Sequence, residues 1–60
     1  NISGVHIARA EYFVLHGAYT RSIQHLEYAK YLTRGNNPQL QAKLAQQIQD
    51  LKTQVRLAKG

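Results

Sequence analysis

Apolar residues recur at steps of three and four along nearly the whole chain, and only Gly17 and the run Gly35-Asn36-Asn37-Pro38 interrupt that spacing. Glycine and proline are the strongest local breakers of regular structure. A recurrence near 3.6 residues describes a helix with one apolar face, whereas a half-buried strand alternates every second residue. The pattern therefore predicts an all-α fold of three helices, at about 4–16, 19–34 and 38–58. Only Gly17 and Ala18 separate the first two, and so short a connection forces an antiparallel helical hairpin.

Each predicted helix carries its own signals. In the first, Ser3 is the expected N-cap, its side chain accepting a free N–H of the first turn. Val5, Ala8, Tyr12 and Leu15 share one face and are expected to be buried, with Ile7, Ala10 and Val14 widening the apolar side. Gly17 suits the left-handed residue that ends a helix. The second helix is expected to bury Tyr19, Ser22, Ile23, Leu26, Ala29 and Leu32 or Thr33, with Glu27 and Lys30 paired one turn apart for some tenths of a kcal/mol. In the third, Asn37 is the expected N-cap and Pro38 fits the first helical position, where its missing N–H is not needed. Leu40, Leu44, Ile48, Leu51, Val55 and Ala58 form its apolar stripe, while Lys52, Arg56 and Lys59 complement the negative end of the helix dipole. At ~1.5 Å per residue this helix is about 31 Å long, longer than the first, so its far end is expected to overhang or to meet a partner.

Size limits what such helices can bury. A chain of 60 residues hides only about 60% of the surface its unfolded form exposes, and small folds usually add a disulfide or a structural metal. Cysteine is absent, which excludes disulfides and thiol chemistry. The beginning Asn-Ile-Ser-Gly suggests a piece of a longer chain, taken as its C-terminal part. The longest uninterrupted apolar run, Tyr12-Phe13-Val14-Leu15, is far short of the roughly 20 residues that span a bilayer, so no membrane-spanning segment is expected. No signal peptide pattern is visible in these residues.

The formal net charge of +5 admits nucleic acid as a partner. However, Arg9, Arg21, Lys30, Arg34, Lys43, Lys52, Arg56 and Lys59 are scattered along the chain, and the excess exists because only Glu11, Glu27 and Asp50 oppose them. With so few carboxylates, no acid/base pair is evident, and no Gly-rich phosphate loop or Ser/His/Asp arrangement occurs. His6, His16 and His25 are spaced too widely to share a helical turn as helix-borne metal ligands do, and they are expected at the surface or at helix ends. His25-Leu26-Glu27 matches the H-x-E element of zinc deaminases, but their P-C-x-x-C cannot exist without cysteine. The aromatic residues fit packing between helices, and Tyr28 and Tyr31 are expected to be the most exposed of them and open to a partner.

The stretch from Ala8 to Ala29 resembles a tetratricopeptide repeat, two antiparallel helices that stack into a grooved solenoid. Gly17 and Tyr19 match its turn glycine and following aromatic. Ile23, Leu26 and Ala29 match the apolar positions of its second helix, and Asn36-Asn37-Pro38 resembles an inter-repeat linker. His6, Arg9, Ser22 and Arg34 stand where the repeat favours Trp, Leu, Ala and Pro. More closely, Ala8 to Leu26 with the long Gln- and Leu-rich final helix resembles the C-terminal repeat region of bacterial periplasmic zinc metallopeptidases of the BepA type.

That resemblance implies a tetratricopeptide-type hairpin capped by a long C-terminal helix. It also implies a periplasmic location, and a parent chain whose zinc is held by an HExxH motif outside these residues, with no cofactor in this part. The implied role is non-catalytic: a protein–protein interaction or scaffolding module in outer-membrane protein quality control, whose partner is a substrate protein or the outer-membrane assembly machinery. Ile7, Glu11 and Val14 would line the concave surface in the family register. Two further expectations stand beside this one. A basic helical nucleic-acid-binding module is the alternative function, and a homo-oligomer formed through the long third helix is the alternative partner arrangement.

Overall fold

The computed structural model describes residues 1–60. It contains three helices, α1 (Ile2–Leu15), α2 (Tyr19–Leu32) and α3 (Pro38–Lys59), and no strand. α1 and α2 form the antiparallel hairpin and α3 returns along α2, so the all-α hairpin with a long final helix is the observed architecture.

The ends of the helices show why the chain breaks where it does. At the close of α1, Gly17 takes φ +73°. Its N–H donates to the Val14 carbonyl at 3.0 Å, and the Ala18 N–H donates to the Phe13 carbonyl at 2.8 Å. This is the Schellman pattern, in which one left-handed residue lets two backbone donors satisfy two orphaned carbonyls. α3 begins as predicted, with Pro38 in the first turn and the Asn37 side chain accepting from the Leu40 N–H at 3.1 Å.

Two boundaries differ from expectation. Asn1, not Ser3, caps α1: its Oδ1 accepts from the Gly4 N–H at 3.2 Å and from the Ser3 hydroxyl at 2.7 Å. Asparagine caps as well as serine, so the helix starts earlier and Ser3 is recruited to hold the cap. α2 ends at Leu32 rather than 34, because Gly35 turns the chain at φ +78°. The Thr33 hydroxyl meanwhile donates to the Ala29 carbonyl at 2.9 Å.

The packing is sequential. α2 touches both other helices, whereas no Cα atom of α1 comes within 8 Å of one in α3. The third helix therefore covers α2 and does not close over α1. The result is a trough floored by α2 and walled by α1 and α3, in a molecule 37 Å along its longest axis. Its interior is thin: Ala10, Ser22, Leu26, Ala29, Leu44 and Ile48 are the buried residues, with Ile7, Ile23, Leu40 and Leu51 partly covered against them. A fully buried Leu or Ile contributes roughly 1.5–3 kcal/mol, so Leu26, Leu44 and Ile48 supply much of the cohesion.

Small residues set the seam between α1 and α2. Ala10 and Ser22 are almost completely enclosed, and the Ser22 hydroxyl donates to the Ala10 carbonyl at 2.8 Å. The bond removes the cost of burying a hydroxyl. It also corrects the predicted orientation of α1. Val5, Ala8, Tyr12 and Leu15 face solvent, Leu15 at 85% exposure, while Ala10 faces α2 with Ile7, Phe13 and His6 partly covered beside it. Apolar residues run almost all the way round α1, so periodicity alone does not choose its buried face. The small side chain of Ala10, opposite the Ser22 donor, does.

Candidate functional site

The trough is one of two grooves of similar size, at about 450 Å³, and the more apolar of the two. α1 supplies Ile7, Glu11, Val14 and Leu15 to one wall, α3 supplies Lys43, Leu44, Gln47, Asp50 and Leu51 to the other, and Ser22 and Leu26 lie between them. Its lining is mainly aliphatic, and its charged side chains are Glu11, Lys43 and Asp50. Two of the three acidic residues of a chain with net charge +5 therefore border this one groove. Glu11 makes no ion pair, and Asp50 accepts from the Gln46 side chain at 2.9 Å.

Of the residues singled out in the sequence, Ile7, Glu11 and Val14 come together on the α1 wall. They share it because residues three and four apart lie on one helical face. Tyr28 and Tyr31 are not part of the trough. Both are about half exposed, and their rings stack on each other at 6.3 Å. Tyr31 belongs to a second, more polar groove of about 440 Å³ on the other side of the α2–α3 contact, with Lys30, Arg34, Gln41 and Lys52 among its lining. There the Arg34 guanidinium lies 3.9 Å from the Tyr31 ring centre, and the Gln41 amide donates to the Lys30 carbonyl at 2.8 Å and the Thr33 hydroxyl at 2.7 Å. Glu27 pairs with Lys52 of α3 at 3.9 Å instead of with Lys30. Both side chains are about half exposed, so the pair contributes little.

A third feature runs along the outer side of the hairpin. Phe13 and His25 stack at 5.3 Å, the near-parallel His25 and His6 rings meet edge to edge with centroids 5.1 Å apart, and Tyr28 meets His6 edge-on at 4.7 Å. Arg21 lies 5.9 Å from the Phe13 ring centre at one end, as Arg34 lies over Tyr31 at the other. Within this row the Nδ1 atoms of His6 and His25 approach to 2.8 Å. Burial lowers the His25 pKa below the usual histidine value, aided by the nearby His6 and then by Arg9.

The histidines therefore divide. His16 is exposed at the C-cap of α1, as expected, whereas His6 and His25 are half-buried partners and not isolated surface groups. Spacing along the chain hid the pair because its members lie on different helices. The available signal was hairpin register, since His6 and His25 lie on either side of the turn as Ala10 and Ser22 do. In comparisons with known proteins, no protein-family model, no curated protein and no solved structure matches the chain.

Proposed function

We propose that this chain is a non-catalytic protein–protein interaction module that receives an amphipathic helical segment of a partner in the trough between α1 and α3. The trough carries the reading: an open aliphatic channel, walled by Ile7, Val14, Leu15 and Leu51 over the buried Leu44, and bordered by Glu11 and Asp50. Helix-in-groove recognition needs this combination, with apolar side chains for the buried stripe and rim charges that set orientation. The predominantly acidic rim favours a segment with basic flanks.

Read with the resemblance, the module is the terminal repeat region of a periplasmic zinc-dependent peptidase, presenting substrate proteins or docking to outer-membrane assembly machinery. Self-association through α3 is less favoured, because Leu44 and Ile48 of its apolar stripe are already buried within the chain.

A methyl NMR titration with a synthetic Leu/Lys amphipathic helix tests the reading. Shifts confined to Ile7, Val14, Leu15 and Leu51, lost in Val14→Arg and with a peptide of scrambled leucine order, support it. Shifts spread over the surface, or none, refute it.

One observation favours the nucleic-acid alternative: Lys30, Arg34 and Lys52 gather around Tyr31 in the second groove. Phosphate contacts make affinity fall steeply with salt. Absence of single-stranded DNA or RNA binding at low ionic strength removes that alternative.

A further inference from the structure

We infer that His6 and His25 form a two-histidine site for a borderline-soft divalent cation of the Zn²⁺, Ni²⁺ or Cu²⁺ class, which ties α1 to α2. The site lies apart from the trough. Two imidazoles on different helices aim the same ring nitrogen at a common point, with their Nδ1 atoms 2.8 Å apart. Neighbouring rings hold them there, since Phe13 stacks on His25 at 5.3 Å and Tyr28 abuts His6 at 4.7 Å.

At that separation one Nδ1 carries a proton and the other accepts it through its lone pair. A cation in place of that proton is met by two lone pairs. Metal–nitrogen bonds of 2.0–2.1 Å at a near-tetrahedral angle put the two nitrogens about 3.3 Å apart. The present spacing is about half an ångström short of that, and the two rings, which meet head-on, must also pivot by about 35° each for both lone pairs to reach one tetrahedral cation. The proton is conserved: the ring that donated from Nδ1 carries its hydrogen on Nε2 instead, and both neutral imidazoles bind without net proton release.

No group of three or more His, Asp or Glu converges in the molecule, so water completes the coordination. Imidazole nitrogens without carboxylates select zinc, nickel or copper over magnesium and calcium, which prefer oxygen. Arg9 is the nearby charge that opposes a cation and limits affinity.

His16 supplies an internal control, because it is exposed at the end of α1 and its ring neighbour is Tyr12, at 4.3 Å. The experiment is a titration of the wild-type chain with ZnCl₂, followed by the ring-nitrogen NMR signals of all three histidines. The expected result is a saturable one-to-one shift of the His6 and His25 Nδ1 signals together, at zinc concentrations that leave His16 unmoved, and no response to MgCl₂. His6→Gln and His25→Gln each abolish the paired response, His16→Gln retains it, and zinc raises the wild-type melting temperature by binding the folded state. Three histidines responding equally and independently, no saturable shift, or an equal response to magnesium would each overturn the inference. The wild-type titration decides the matter even if a variant does not fold.

Discussion

Replacing Ser22 probes the seam between α1 and α2. Ser22 is completely buried, and its hydroxyl donates to the Ala10 carbonyl at 2.8 Å across the α1–α2 seam. In Ser22→Ala that bond disappears, but the carbonyl lies mid-helix and keeps its own i+4 donor. No buried group is orphaned, so the loss falls at the low end of a hydrogen bond's net worth, about 0.5–1 kcal/mol. Ser22→Val loses the same bond and forces an extra methyl group against Ala10, which is 1% exposed. Overpacking adds roughly 1–3 kcal/mol, for a total of about 1.5–4 kcal/mol. Ser22→Thr keeps the hydroxyl and isolates the volume effect. At 0.05–0.15 kcal/mol per residue, a chain of this size has about 3–9 kcal/mol of stability in all, so the valine variant should be near the edge of folding. Urea unfolding followed by far-UV circular dichroism reads these differences. With a slope of ~1 kcal/mol/M, the midpoint moves by up to ~1 M for alanine and by ~1.5 M or more for valine. If valine proves as stable as alanine, the two helices are not in close approach at this point and the buried face assigned to α1 is wrong.

Other substitutions test separate parts of the fold. Leu44→Ala removes an enclosed side chain at the joint of all three helices and should cost about 2–4 kcal/mol, while Leu15→Ala at an exposed site changes stability by less than about 0.5 kcal/mol; the same urea titration separates them. Gly17→Ala meets no atom within 4 Å but must hold φ +73°, so it should lose about 1 kcal/mol from backbone strain alone, measured as a lowered melting temperature. Because the folded His25 pKa lies below its unfolded value of 6.5, the unfolded chain binds the proton more readily. Stability from this group is complete above about pH 6.5 and declines as pH falls from there toward the folded pKa. His25→Gln should flatten that slope in melting temperatures recorded across pH.

Much of the backbone plan was legible because it depends on local chemistry. Gly17, Asn37 and Pro38 mark their turns through requirements that hold whatever the surroundings. The second and third helices have narrow apolar stripes, and Leu26, Ala29, Leu44 and Ile48 are buried where periodicity puts them. α1 was harder to orient because it is apolar on several sides. A hydrogen bond to a residue twelve positions away chose its inner face, and no window confined to the helix contains that information. Within the candidate site, Ile7, Glu11 and Val14 could be grouped as one helical face. Their partners Lys43, Leu44, Asp50 and Leu51 depend on where α3 lies. The meeting of His6 with His25 is a property of hairpin register, invisible to motifs that search one helix at a time.

The absence of a close backbone approach between the first and third helices bears on how the chain comes apart. Every close backbone approach joins helices adjacent in sequence, so no long loop must close before contacts begin to reward folding, which favours a rapid search. Cohesion is likewise serial: the N-terminal helix can peel away while the other two stay joined, just as a solenoid loses an end unit before its middle. Amide hydrogens between residues 5 and 15 should then exchange through a cheaper opening than those around Leu26 and Leu44, and that opening would uncover the whole floor of the channel.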